Sequence, residues 1–234
     1  LEQTARKTAH AFTHLFDYIE RLEEAPHFIN ECIGIDGFPT ALHNVMFVPA
    51  LQGQSEGWLR EEILPRAERF EIVGTYAQTE LGHGTNLREL ETTATYDKNT
   101  KEFIINTPTR TAMKWWPGNL AKMTNYAVLT AQLIIDGKTY GPHNFFVQLR
   151  DEKTHLPLKG ITVGDIGPKM AYNVTDNGFL AFDHVRIPHK HMLSKHAKVS
   201  LDGAYEAPKH AKLNYGAMVH VRANMILSQG NFLA

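Results

Sequence analysis

Residues 126–149 read YAVLTAQLIIDGKTYGPHNFFVQL, and the fold turns on how this stretch is read. Tyr126–Ile135 is rich in β-branched and aromatic side chains, the composition of a strand, and Thr and Gln interrupt it well before the roughly 20 apolar residues of a membrane helix. Asp136-Gly137 is a two-residue turn of the type that joins antiparallel strands, and Tyr140–Leu149 is the returning strand. The same texture extends outward to about Phe70: short runs of Val, Ile, Thr, Tyr and Phe punctuated by Gly, Asp, Asn and Pro. Thr92–Tyr96, the turn Asp97-Lys98-Asn99-Thr100 and Phe103–Ile105 predict a second hairpin, and Phe179–Ile187 a further strand stopped by Pro188.

Upstream the spacing is helical. Leu1, Ala5, Ala9, Phe12, Leu15, Phe16, Ile19 and Leu22 fall on one face of an amphipathic helix that Pro26 closes. A second helix is predicted after Pro39 through Leu42, Val45, Met46 and Leu51, and a third with Ser55 as N-cap before Trp58, Leu59 and Ile63. Pro49 and Pro65 are expected to end or kink them. After Pro208 helical spacing resumes in Leu213, Ala217, Val221 and Met225, joined by Met218 and Ile226. The fold class is therefore α+β: N-terminal helices over residues 1–69, an antiparallel β-barrel-like middle domain over 70–205, and the start of a C-terminal helical region over 206–234. This order argues against βαβ winding.

The 234 residues carry 24 Lys+Arg against 25 Asp+Glu, a formal charge of −1, which lacks the broad basic footprint of a nucleic-acid binder. With 43% hydrophobic and 21% charged residues the chain has the composition of a folded globular protein. The single cysteine, Cys32, forms no internal disulfide and points to a reducing compartment. Asn173-Val174-Thr175 matches a glycosylation sequon by chance, since no signal peptide precedes it. The chain opens at Leu1 inside a helical pattern, as a processed form or fragment would.

Two clusters carry chemistry. Thr75–Asn86 (TYAQTELGHGTN) follows a predicted strand and offers hydroxyls, backbone N–H groups and glycines that let a ligand approach closely. It is not a dinucleotide fingerprint, because Leu87 stands where GxGxxG has its third glycine and no βαβ unit follows. Lys114–Gly118 (KWWPG) sets two of the three tryptophans beside a Pro-Gly turn, either as core residues or as walls for a planar ligand. Histidines offer weaker signals. His10 and His14 lack the glutamate of HExxH, since Ala11 stands in its place, and His189, His191 and His196 read as a solvated loop, so no metal is expected. No GxSxG elbow is present, and nothing around Cys32 argues for a reactive thiol.

Taken together, TYAQTELGHGTN and KWWPG resemble the flavin-binding middle domain of acyl-CoA oxidases, the peroxisomal branch of the acyl-CoA dehydrogenase superfamily. The resemblance continues through Ile161–Tyr172 (ITVGDIGPKMAY), Asp176-Asn177-Gly178 and Arg186-Ile187-Pro188, and spans about Leu42 to Met225. It implies FAD as cofactor and desaturation of a fatty acyl-CoA to a trans-2-enoyl-CoA, with O₂ reduced to hydrogen peroxide. By position, Thr79 and Gly118 match the family's FAD contacts, Ala77, Gly84 and Thr85 lie on the same loop, Trp116 matches the aromatic beside the flavin, and Tyr172 a residue near the acyl chain. Glycine at 118 would admit backbone to the ring, and Thr79 would donate from both backbone and hydroxyl.

The family's base is a glutamate of the C-terminal helical domain, expected to lie beyond Ala234, and Glu80 reads as a residue that fixes its loop. Little turnover is therefore expected of the chain alone. The resemblance further implies a homodimer or a heterodimer with a full-length oxidase, and a peroxisomal location, although Asn231-Phe232-Leu233-Ala234 is not an SKL-type address. The alternative is a non-catalytic module that binds FAD or acyl-CoA, or partners a longer oxidase. A dehydrogenase passing electrons to an electron-transfer flavoprotein fits less well, because TELGHGT and KWWPG are worded as in oxidases.

Overall fold

The structure is a computed structural model that describes residues 40–210, 219 and 221–223. The helix expected over Leu1–Leu22 lies outside the described residues, as does most of the one expected after Pro208, where 219 and 221–223 are helical.

The first described helix starts at residues 41–42, widens into a π-helical turn, His43–Phe47, and continues as α1, Val48–Gln54. The second repeats the pattern with Leu59–Ile63 and α2, Leu64–Glu68. Of the two outcomes expected at Pro49 and Pro65, an end or a kink, the first does not occur: both helices run on past them. Each proline stands two residues past the wide turn, which relieves the clash between a proline ring and the carbonyl four residues back. Ser55 also departs from its predicted role. Its backbone is extended (φ −92°, ψ 152°) and its hydroxyl donates to the Leu51 carbonyl at 2.5 Å, so it caps the end of α1 and not the start of the next helix.

The sheet is built on β5, Tyr126–Ile135, which turns through Asp136-Gly137 into antiparallel β6, Lys138–Gln148. Both turn residues have positive φ (50° and 76°), the twist that a two-residue hairpin requires. Along its other edge β5 meets two strands in succession, both parallel to it: β1, Gly74–Ala77, opposite Tyr126–Leu129, and β2, Thr93–Asp97, opposite Gln132–Ile134. β3, Glu102–Asn106, pairs antiparallel with β2 as the second hairpin predicts, and β9, Val185–Pro188, pairs antiparallel with β3. A second sheet joins β4, Lys114–Trp115, β8, Gly178–Phe182, and β7, Ile161–Asp165. The single strand expected over Phe179–Ile187 is therefore two strands in two sheets, broken at His184, whose φ is 50°. Lys198–Val199 and Tyr205–Glu206 form a short antiparallel pair, β10 and β11.

The expectation of an antiparallel barrel needs correcting on two points: β1 and β2 run parallel to β5, and no pairing among the described residues closes either sheet. The cause is topological. The chain leaves the edge of β5 after Ala77 and rejoins the same edge at Thr93, so residues 78–92 form an excursion between two segments of one strand position.

Both faces of β5 are covered. Ala127, Leu129, Ala131, Leu133 and Ile135 join Phe103, Phe145, Leu180 and Phe182 in a core between the two sheets. Tyr126 and Val128 face the other way, into a core with Phe47, Leu51, Leu59 and Ile63 from the helices. This double burial explains why β5 reads as a nearly unbroken apolar run and not as an alternation. Beyond the apolar helix contact the same face turns polar: Thr130 donates to Asn144 Oδ1 and Asn144 to Gln54 Oε1, each at 2.8 Å.

Candidate functional site

The excursion 78–92 is anchored by Glu80, whose carboxylate is fully buried. Its Oε2 accepts the Glu91 N–H at 2.8 Å, and its Oε1 accepts both the Thr92 N–H at 3.0 Å and the Lys114 ammonium at 2.9 Å. Lys114 is itself fully buried and also donates to the Gln78 carbonyl at 2.9 Å. Burial lowers the Lys114 pKa to about 8, against the pull of Glu80. Backbone bonds complete the seam: Trp115 N–H donates to the Thr79 carbonyl at 2.9 Å, Leu81 N–H to Met113 at 2.8 Å, and Gly82 N–H to Thr111 at 2.9 Å. Glu80 therefore fixes its loop, as read from the sequence.

A second hub holds the turn that follows KWWPG. Asp176 accepts the N–H groups of Lys122 at 2.6 Å and Met123 at 3.1 Å. Arg150, 5% exposed, donates to the carbonyls of Leu120, Ala121 and Thr124. Ahead of this turn, Trp116 N–H bonds the Gly178 carbonyl at 3.1 Å, and Asn177 Nδ2 donates to the Trp116 carbonyl at 2.6 Å. The Gly118 carbonyl accepts the Thr75 hydroxyl at 2.6 Å, a direct tie back to β1. Thr75–Asn86 and Lys114–Gly118 thus meet in space through side-chain and backbone bonds.

A cavity of about 860 Å³ opens beside this seam, walled by Trp115, Trp116, Leu42 and Tyr172 with Gly118 and Thr175 behind. Trp115 is half-buried and stacks on Phe179 with ring centroids 6.0 Å apart, so it packs and lines the cavity together. Trp116 and Tyr172 are about half exposed (50% and 51%) and hold positive φ (81° and 57°), a conformation costly for residues with a Cβ. A Cβ on Gly118 would lie 2.9 Å from Thr175 Cγ2 and 3.3 Å from Leu42 Cδ2. The glycine is thus demanded by the protein's own packing behind the cavity.

The remaining sequence-predicted residues scatter. Thr85 lines a second cavity of about 880 Å³ with Tyr76, Gln78, Thr130, His143 and Tyr205. Ala77 is fully buried in the inter-sheet core, which leaves only its backbone for any ligand. Gly84 is exposed, with open space where a Cβ would sit. Thr79 is half-buried between the two anchored residues Gln78 and Glu80. Sequence reading missed Lys114, Leu42 and Thr175, and it missed the second cavity. Only Lys114 carried a signal, a charged residue inside an otherwise apolar motif.

In that second cavity His143 is 5% exposed and its pKa is lowered by burial. Its Nδ1 donates to the Gly141 carbonyl at 3.0 Å, so Nε2 accepts the Tyr205 hydroxyl at 2.9 Å. Neither cavity has an Asp or Glu among its described lining residues. The histidine loop differs from expectation. His189 stacks on Phe103 and bonds the Val199 carbonyl, and His191 stacks on Trp58 at 5.0 Å and bonds the Phe146 carbonyl, so both pack against the domain instead of standing in solvent. His10 and His14 lie outside the described residues. Glu80, His83 and Glu91 bring ligand atoms within 4.8 Å of one another, but the Lys114 ammonium already supplies the cation there.

The family described as acyl-coenzyme A oxidase N-terminal matches residues 1–73. The chain is 58% identical over 220 residues to acyl-coenzyme A oxidase acox-1.4 of Caenorhabditis elegans, covering 94% of this chain and 33% of that protein. It is 49% identical over 242 residues to peroxisomal acyl-coenzyme A oxidase 1 of Arabidopsis thaliana, covering 100% of this chain and 35% of that one. Among solved structures it superposes on C. elegans acyl-CoA oxidase-2, bound with FAD, ascaroside-CoA and ATP, with TM-score 0.92 and 51% identity over 99% of this chain and 36% of that one. The chain therefore spans about a third of the length of the relatives it matches. Sequence, fold and the two joined motifs agree: the chain belongs to the acyl-CoA oxidase family.

Proposed function

We propose that this chain supplies the FAD-facing part of an acyl-CoA oxidase, which converts a fatty acyl-CoA to its trans-2-enoyl-CoA and reduces O₂ to hydrogen peroxide. The observation that carries the reading is the seam itself, where TYAQTELGHGTN and KWWPG are bonded together beside a cavity walled by two indoles. When bound, FAD supplies acceptance of the β-hydride and transfer of the electrons to O₂. A flat tricycle fits the lining in its apolar aromatic walls, Trp115, Trp116 and Tyr172.

Trp116, with Trp115 beside it, would hold the ring. The Thr79 hydroxyl, which makes no bond among the described residues and lines neither cavity, would donate to its polar edge from the neighbouring loop. Gly118 lets Thr175 and Leu42 close in behind. Tyr172 stands at the cavity mouth, where an acyl chain would enter. Thr85, which lines the second cavity, and backbone at Ala77 and Gly84 would add further contacts. Removing an α proton needs a carboxylate within hydrogen-bond reach of that carbon. Glu80 does not serve, because both its oxygens are occupied. The base therefore comes from outside the described residues, and the working unit is a homodimer or a pairing with another oxidase chain, in the peroxisome.

Titrating FAD into the purified chain tests the reading: bound flavin should colour the protein yellow and lose fluorescence, while added fatty acyl-CoA yields little peroxide. Failure to bind FAD overturns the cofactor role, and robust peroxide release overturns the claim that the base lies elsewhere.

A further inference from the structure

We propose that Lys114 and Glu80 act as a positioning pair, a buried ionic brace that sets the spacing between the two ligand-facing loops. What the brace positions is Thr79, so the functional consequence rests on the flavin reading above, while the brace itself rests on geometry alone. Both side chains have no exposure, so neither meets solvent or ligand directly. Yet the ammonium holds residues on both sides of Thr79, the Gln78 carbonyl and the Glu80 carboxylate, each at 2.9 Å. The Thr79 carbonyl is in turn held by the Trp115 N–H, from the residue that follows Lys114. Three consecutive residues of one loop are thereby fixed to two consecutive residues of the other.

The same carboxylate reaches the N–H groups of Glu91 and Thr92, where the excursion rejoins the sheet, so one side chain ties the exit, the return and the opposing motif. A buried ion pair is a poor source of net stability, because desolvation offsets the attraction, but its directional bonds specify one arrangement over near alternatives. Apolar packing at these positions would fill the space and leave the register of the two loops to the backbone bonds of Leu81, Gly82 and Trp115 alone.

The double variant Glu80→Gln with Lys114→Met separates positioning from mere stability. It removes both charges together and fills the volume, so no unpaired charge remains buried. The expected result is a urea midpoint close to that of the parent, with two local losses. The amide hydrogens of Leu81, Gly82 and Trp115 exchange at least tenfold faster while those of the β5–β6 pair keep their parental rates, and FAD binds at least tenfold more weakly by fluorescence quenching. Parental exchange at those three amides overturns the brace. Faster exchange with unaltered FAD affinity overturns its positioning role. If the parent itself binds no FAD, the flavin reading falls and the exchange rates still decide the brace. Should the double variant not fold, Glu80→Gln alone at pH 9 also leaves no buried charge, since burial already lowers the Lys114 pKa to about 8 against the pull of Glu80, and the same two measurements against the parent at that pH apply with the same outcomes.

Discussion

The two loops that meet at the seam near the tryptophan-lined cavity are secured by opposite means. Residues 78–92 depend on a charge pair sealed from water, Lys114 with Glu80. Residues 116–124 depend on Arg150, Asp176 and Asn177, which cap carbonyls and N–H groups along one backbone stretch. The first arrangement concentrates its hold in two side chains, and either one becomes a buried orphan if the other is lost. The second spreads its hold over several bonds to backbone dipoles. A ligand site gains precision from the first kind and tolerance from the second, which suits one loop that sets geometry and one that presents an exposed indole.

The largest effect should follow from breaking the concentrated hold. Lys114→Met leaves the Glu80 carboxylate buried without its cation, and removal of one partner from a buried pair typically costs about 3–5 kcal/mol. Urea denaturation should show that drop, and a loss below about 1 kcal/mol would mean that water or a neighbour replaces the ammonium, erasing the contrast between the loops.

Acid should sharpen the same contrast at the root of the first loop. His43 is fully buried and spans two segments: its Nε2 donates to the Ala67 carbonyl and its Nδ1 accepts the Gly74 N–H, both at 3.0 Å. Burial lowers its pKa from 6.5 to about 4. Between those values the unfolded chain binds a proton that the folded chain refuses, so stability is complete above pH 6.5 and falls as pH drops towards 4. The loss approaches about 3 kcal/mol, from 1.36 kcal/mol per pKa unit. His191, lowered to about 4 by its own burial, acts in the same direction. Denaturation midpoints at pH 7.5 and 4.5 should differ accordingly, and His43→Gln should flatten the difference in part. A His43→Gln profile as steep as that of the parent would assign the acid sensitivity elsewhere.

How far the sequence reaches follows the range of the interaction. Turn chemistry is local, so Asp136-Gly137 and Asp97–Thr100 announce their hairpins, and the helical spacing around Leu51 and Leu59 survives in the structure. The parallel pairing of β1 and β2 with one edge of β5 is set by contacts some 40–50 residues apart, and nothing in GTYA or TATYD reports it. Likewise His184 gives no local warning that Phe179–Ile187 divides between two sheets. At the site, motif wording picks out Glu80, Gly118 and Trp116. Tyr172 is picked out by the resemblance as well, but the cavity also depends on Leu42 and Thr175, which approach only when helix, turn and second sheet assemble.

The smallest change in stability, with the most informative change in binding, is expected at Trp116. Its φ of 81° lies where a residue with a Cβ pays roughly 1–2 kcal/mol, and its ring is half exposed, so little burial offsets the strain. Glycine relieves that strain but gives the unfolded chain more freedom, a cost of roughly 0.5–1 kcal/mol, so Trp116→Gly should alter stability by less than about 1 kcal/mol. FAD affinity should nevertheless fall about two- to tenfold, the loss of one aromatic stacking contact worth about 0.5–1.5 kcal/mol. Strained backbone retained for no gain in folding is best explained by what it presents. A Trp116→Gly variant that unfolds much more readily, yet binds FAD as the parent does, would make the indole a packing residue and leave the second loop without a function of its own.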